Sequence, residues 1–154
     1  MADIITKFYT AFKNLDVDTM VSCYHNDIRF EDPAFGELNG ERAKNMWRML
    51  VTSQKGKDFQ VNLSNIKVGA SDGFAHWEAK YDFSKTGRRV HNKIDATFKI
   101  KDGLIIDHVD QFDLYQWSKQ AIGGSAYLIG WTGFFKKKLQ EQTNKLLNQF
   151  EKKS

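Results

Sequence analysis

FYTAFKNLDVDTMVSCYHNDIRFEDPAFGELNG, residues 8–40, changes its hydrophobic period twice, and the rest of the chain can be read outward from those changes. Together with the residues just before it, the stretch carries Ile4, Ile5, Phe8, Ala11, Phe12 and Leu15 at spacings of three and four. That spacing predicts an amphipathic helix. Asn14-Leu15 ends it, and Asp16 is placed to cap a second helix with Met20, Val21 and Tyr24 on its apolar side. The period then drops to two. Ile28, Phe30 and Asp32 alternate with Arg29 and Glu31, which predicts a strand. Pro33 stops that strand, and residues 33–40 read as a loop.

A third helix is expected over residues 41–53, burying Ala43, Met46, Trp47, Leu50 and Val51. Four strands follow at about residues 58–69, 73–83, 89–101 and 104–115. Ser71-Asp72-Gly73, Lys85-Thr86-Gly87 and Lys101-Asp102-Gly103 separate them as hairpin connections, which makes the sheet antiparallel. Helices gathered ahead of a meander imply an α+β domain with helices on one face of the sheet. After Tyr115 come a short helix, a Gly123-Gly124 break, the apolar run YLIGWTGFF and a final helix from about Gly133 to Lys152. We expect residues 1–115 to form the α+β body and 116–154 a helical extension packed on it.

Charge narrows the choice of partners. The 154 residues carry a net charge of +4, and residues 133–154, with six lysines and two acids, account for all of it. The body is neutral and shows no basic stripe, so nucleic acid is not an expected partner. The last helix puts Phe135, Leu139, Thr143, Leu146 and Phe150 on one stripe with lysines elsewhere. We read that stripe as packing on the domain. Docking on an anionic membrane surface is the less favoured alternative. Tyr127, Leu128, Ile129 and Trp131 are candidates to close a pocket mouth. The N-terminus lacks the basic and apolar regions of a signal peptide, and no run approaches a membrane span. A single cysteine, Cys23, forms no internal disulfide and reads as a buried filler, which suits the cytoplasm.

Strand alternation gives each strand two faces. Ala75, Trp77, Ala79, Tyr81 and Phe83 oppose His76, Glu78, Lys80 and Asp82. Val90, Asn92, Ile94, Ala96, Phe98 and Ile100 oppose His91, Lys93, Asp95, Thr97 and Lys99. On the last strand His108, Asp110 and Phe112 share one face, and both faces mix apolar with polar residues. A strand apolar on both faces suggests a second subunit against the outer sheet surface, so a homodimer is expected. Asp32 and Asn92 interrupt apolar faces; His108 and Asp110 either do the same from the last strand or lie on the outer sheet surface in a polar dimer contact. A carboxylate kept there without a partner is costly and raises its pKa.

The span from Phe8 to Phe112 resembles the nuclear transport factor 2-like superfamily, which includes ketosteroid isomerase and the SnoaL-type polyketide cyclases. Residues 8–40 and the closing DGLIIDHVDQFD, residues 102–113, carry the resemblance. It implies a cone-shaped, curved sheet wrapped around the N-terminal helices, a cystatin-like α+β barrel. The segment WSKQAIGGSAYLIGWTGFFKKKL is similar to that of bacterial members of the superfamily. Glu31-Asp32-Pro33 matches the isomerase segment bearing the general base, so the resemblance gives that role to Asp32. Phe8 and Ala96 stand where the isomerase has its two oxyanion donors, which argues against steroid isomerisation by that mechanism. Asp110 matches the acid/base aspartate of the cyclases.

The expected site therefore has Asp32, His108 and Asp110 as acid–base residues. Trp77, Tyr81, Asn92 and Phe112 are the expected ligand-binding wall, with no metal and no cofactor. Its expected partner is a small, largely apolar molecule. The chemistry is of isomerase, cyclase, dehydratase or hydrolase type, and the alternative is a binding or scaffold domain without chemistry.

Overall fold

The computed structural model describes residues 3–153, apart from the side chains of Tyr127 and Leu128. Its elements run α1 (Ile4–Lys13), α2 (Val17–Ser22), β1 (Tyr24–Asp32), β2 (Gly36–Asn39), α3 (Glu41–Gln54), β3 (Gln60–Val68), β4 (Asp72–Asp82), β5 (Arg89–Lys101), β6 (Leu104–Gln111), α4 (Leu114–Ala121), α5 (Ala126–Ile129) and α6 (Gly133–Lys153). The six strands form one curved, unclosed sheet in the order β2-β1-β6-β5-β4-β3. This is the α+β class expected from the sequence.

Short-range chemistry sets the helix ends. Asp3 caps α1 by accepting the Thr6 N–H at 2.7 Å, and Asp113 caps α4 through the Gln116 N–H. Leu15 takes φ 54°, which turns the chain sharply between α1 and α2. Asp102 and Gly103 both have positive φ, as the β5–β6 hairpin requires. Ile5, Phe8 and Phe12 of α1 and Met46, Trp47 and Val51 of α3 pack with Ile28, Phe30, Ala75, Trp77, Ile94 and Phe98 of the sheet in one core.

Three local expectations are corrected. The 33–40 loop contains β2, which pairs antiparallel with β1 from Arg29↔Asn39 to Asp32↔Gly36. Four residues are too few to display a period of two. The sheet is not wholly antiparallel, because β1 and β6 run parallel, with Phe30 opposite His108. Hairpins constrain only strands that follow one another, and almost the whole domain separates these two. Arg29 spans the parallel joint, binding Asp107 at 2.8 Å and Glu31 and Glu37 at 2.9 Å each. Finally, Tyr24 opens β1 instead of completing the α2 stripe, because α2 ends after six residues.

Candidate functional site

Between α3, α6 and the concave face of the sheet lies a cavity of about 490 Å³. That volume falls within the usual range for sites holding small molecules. Most of its wall is apolar: Phe30, Trp47, Phe59, Trp77, Tyr81 and Phe112 contribute. Asn92 also lines it, so all four residues expected to contact a ligand face this one space. Two carboxyl groups interrupt the apolar wall, those of Asp32 and Asp110.

The sheet register places those two side by side. Phe30 of β1 lies opposite His108 of β6, and Glu31 lies opposite Val109. One further step brings Asp32 level with Asp110, on strands about 4.8 Å apart. On the other side of β6, Asp110 faces Ala96, a fully buried small residue that leaves room beside the carboxyl.

Their surroundings differ. Asp32 Oδ1 accepts the backbone N–H groups of Ala34 (3.0 Å) and Phe35 (2.7 Å) in the Pro33 turn. Burial nevertheless dominates. It pushes the Asp32 carboxyl up to about 7, the two backbone donors pull the other way, and the charge of Asp110 adds to the rise. Asp32 keeps some accessible surface, and it lines the cavity.

Asp110 is held from behind. Its Oδ1 lies 2.8 Å from His108 Nε2 and accepts Trp77 Nε1–H at 3.4 Å. His108 Nδ1 lies 2.7 Å from the Tyr24 hydroxyl, which in turn accepts Trp47 Nε1–H at 2.8 Å. Indole N–H can only donate. The Tyr24 hydrogen is therefore free to go to His108 Nδ1, and in the tautomer that accepts it Nε2–H donates to Asp110. The result is a one-way chain, Trp47 to Tyr24 to His108 to Asp110. His108 is fully buried and does not reach the cavity wall, so it shares a face with Asp110 but sits behind it. Phe8, Phe30, Trp47 and Phe98 ring it. Tyr24 was not legible as a site residue, since its spacing also fits a helix stripe.

Two other polar groups border the site. The Gln54 amide donates to Asp82 O at 3.3 Å, which fixes Nε2 on that side and leaves Oε1 buried without a donor among the described residues. The Tyr9 hydroxyl is likewise buried and unpaired there, and burial raises its pKa well above the ordinary value. The mouth is not closed as expected. Ile129 and Trp131 are exposed and away from the cavity, and the side chains of Tyr127 and Leu128 lie outside the described residues. Instead α6 covers the site with Leu139, Thr143, Leu146 and Phe150. Its deepest residue is Leu147, which is absent from the expected stripe.

His76 and His91 lie on the opposite face of the sheet, joined by Glu78 at 3.0 and 2.6 Å. Among the described residues, no group of three or more His, Cys, Asp or Glu side chains is placed to hold a metal ion, and no helix is long and apolar enough to cross a membrane.

Known proteins share this architecture. A relative named epoxide hydrolase EphG, from Mycobacterium tuberculosis, is 27% identical over 127 residues, covering 81% of each chain. A solved M. tuberculosis LEH-like epoxide hydrolase superposes with a TM-score of 0.61 at 22% identity, over 81% of this chain and 91% of that one. A protein of Xanthomonas campestris pv. campestris assigned as a polyketide cyclase gives 0.60 at 18% identity, over 76% of this chain and 93% of that one. At those identities the two structures speak to the fold alone. The family model for the SnoaL-like domain matches residues 5–108, a segment running from the start of α1 to His108, and the chain belongs to the SnoaL-like domain family.

Proposed function

We propose that the cavity binds a small, largely apolar molecule and acts on it by acid–base chemistry, with Asp110 as proton acceptor and Asp32 as proton donor. One observation carries this reading: two carboxyl groups on adjoining strands line one apolar space, one held by backbone N–H groups and the other by His108 and Trp77. Paired titratable groups whose surroundings separate their proton affinities are the usual basis of such a division of labour. Burial keeps a proton on Asp32 up to about neutral pH. Asp110 is aimed by the His108 and Trp77 donors. His108 acts through Asp110, as a positioning residue.

The relative named as an epoxide hydrolase makes hydration of an apolar epoxide the first reaction to assay. Asp110 takes a proton from water as the water oxygen attacks a ring carbon. That carbon–oxygen bond breaks, and its electron pair goes to the ring oxygen, which takes the proton of Asp32. Proton return from Asp110 to Asp32 completes the cycle and leaves a diol. A ligand hydroxyl would also supply the donor that Gln54 Oε1 lacks.

The test is turnover of a panel of apolar epoxides, with diol binding followed by calorimetry. Asp110→Asn should lose about 10²–10⁴-fold in kcat, as removal of a general base does, and still bind diol. Full turnover in Asp110→Asn would overturn the reading.

We further propose a homodimer through the outer sheet face and residence in the cytoplasm. An apolar ridge of Phe74 and Val109, with Thr97 between them in register, crosses that face and supports the dimer. Sedimentation should give twice the chain mass, and a monomer at micromolar concentration would contradict it.

A further inference from the structure

The family match ends at His108, yet the helix that touches the Asp32 turn most closely lies beyond it. Three consecutive carbonyls in that turn accept hydrogen bonds from α6. Gln140 Nε2 donates to Pro33 O at 3.1 Å, Thr143 Oγ1 to Ala34 O at 2.8 Å and Asn144 Nδ2 to Phe35 O at 2.9 Å. The same turn gives the N–H groups of Ala34 and Phe35 to Asp32 Oδ1. Each of those two peptide units is thus gripped on both sides, by Asp32 and by α6. The fit is close. Gly36 has φ +77°, and a Cβ there would stand 3.2 Å from Gln140 Oε1.

The helix is itself pinned. Arg42 of α3 pairs with Glu151 and donates to Asn144 Oδ1 at 2.9 Å, and Asn45 donates to Glu151 at 2.8 Å. Leu147 is fully buried beneath it. The spacing 140, 143, 144, 147, 151 is one helical face, so a single orientation of α6 makes every one of these contacts.

We infer that α6 is a clasp for the acid of the site: Gln140, Thr143 and Asn144 are positioning residues that fix the Pro33–Phe35 turn and through it hold Asp32 against the cavity. The inference rests on the role given to Asp32 above. Without these donors, three carbonyls at the cavity edge need water, and water brought to the turn also reaches Asp32. The helix shows the cavity Thr143, Leu146 and Phe150, so a bound ligand presses on the element that holds the turn. Asp110 on β6 and the adjoining Glu31 are the charges acting on Asp32, and Asp32 in turn acts on Tyr24 of β1 and Tyr81 of β4, whereas the α6 side chains at the turn are uncharged. Loss of the clasp thus alters hydration of Asp32 without removing a charge from beside it.

The experiment compares full-length wild type, Thr143→Val/Asn144→Leu and Thr143→Ser by NMR. Amide exchange at Ala34 and Phe35 reads the turn, and the carboxyl carbon of Asp32 reads the acid. The double variant should exchange both amides at least about tenfold faster and lower the Asp32 midpoint by about one unit or more, as rehydration favours the charged form. Thr143→Ser keeps the donor and should match wild type in both. Unchanged protection in a cooperatively folded double variant would overturn the clasp. So would faster exchange with an unmoved Asp32 midpoint. Should the double variant not fold, Thr143→Val alone, nearly isosteric, is judged on the same two readouts. Neither readout needs turnover, so failure of the clasp is distinguishable from failure of the chemistry.

Discussion

Burial opposes the charge on Asp32 more strongly than two backbone N–H groups favour it, and this has a consequence for stability. The folded-state value, about 7, lies above the ordinary 3.8. The folded chain therefore holds the proton more tightly than the unfolded one. Stability from this group is complete below about pH 4 and is lost as pH rises through 7. Asp32→Asn should remove that loss. Its melting temperature, compared with wild type by calorimetry, should gain most at pH 8 and little at pH 4. A constant difference across that range would show that Asp32 is not shifted. Strand alternation was enough to set Asp32 and Asn92 on the inner face, but the last strand mixes apolar and polar residues on both faces, and only the resemblance turned Asp110 inward. Alternation could not show that His108 sits behind Asp110, because depth within a face depends on which neighbours are small and which are aromatic. Nor could it find Tyr24. Removing its hydroxyl with Tyr24→Phe leaves Trp47 Nε1–H and His108 Nδ1 buried without a partner. Urea unfolding should show a loss of about 1–3 kcal/mol, the usual penalty for an orphaned buried polar group.

Elements were legible where their patterns were long. The eleven residues of β4 and thirteen of β5 showed clean alternation. The four residues of β2 did not, and its pairing depends on the three-residue turn after Asp32. The parallel β1–β6 joint has no local signature at all, since it pairs strands far apart in the chain with no hairpin between them. One glycine shows how closely α1 packs on the sheet. Gly73 on β4 lies against α1, and a Cβ added there would come 2.3 Å from Ile5 Cδ1. Gly73→Ala should therefore displace the fully buried Ile5 side chain and destabilise the fold by about 1–3 kcal/mol, as overpacking does. An unchanged unfolding midpoint would contradict that tight contact. The stripe on α6 was read with the right period but not the right depth. Leu146 is largely exposed while Leu147 is buried, because the turn at residues 33–35 decides which edge of the helix faces inward.

Across the whole molecule, two halves of the chain meet at one cavity. The SnoaL-like segment provides most of the sheet, Asp32 and most of the aromatic wall, and Asp110 follows two residues past its end on the same strand. The C-terminal helix provides the cover and the grip on the Asp32 turn. The lysines that give the chain its net charge lie mainly on the solvent side of that helix, with Lys137, Lys138, Lys145 and Lys152 exposed. Asp32 and Asp110 are proposed as an acid–base pair in which the charge of Asp110 helps Asp32 hold its proton near neutrality. The most direct measurement is the titration of the Asp32 carboxyl carbon by NMR in wild type and in Asp110→Asn. A midpoint of about 7 in wild type, falling in Asp110→Asn, is the expected result. A midpoint near 3.8 in wild type, or one indifferent to Asp110, would contradict it.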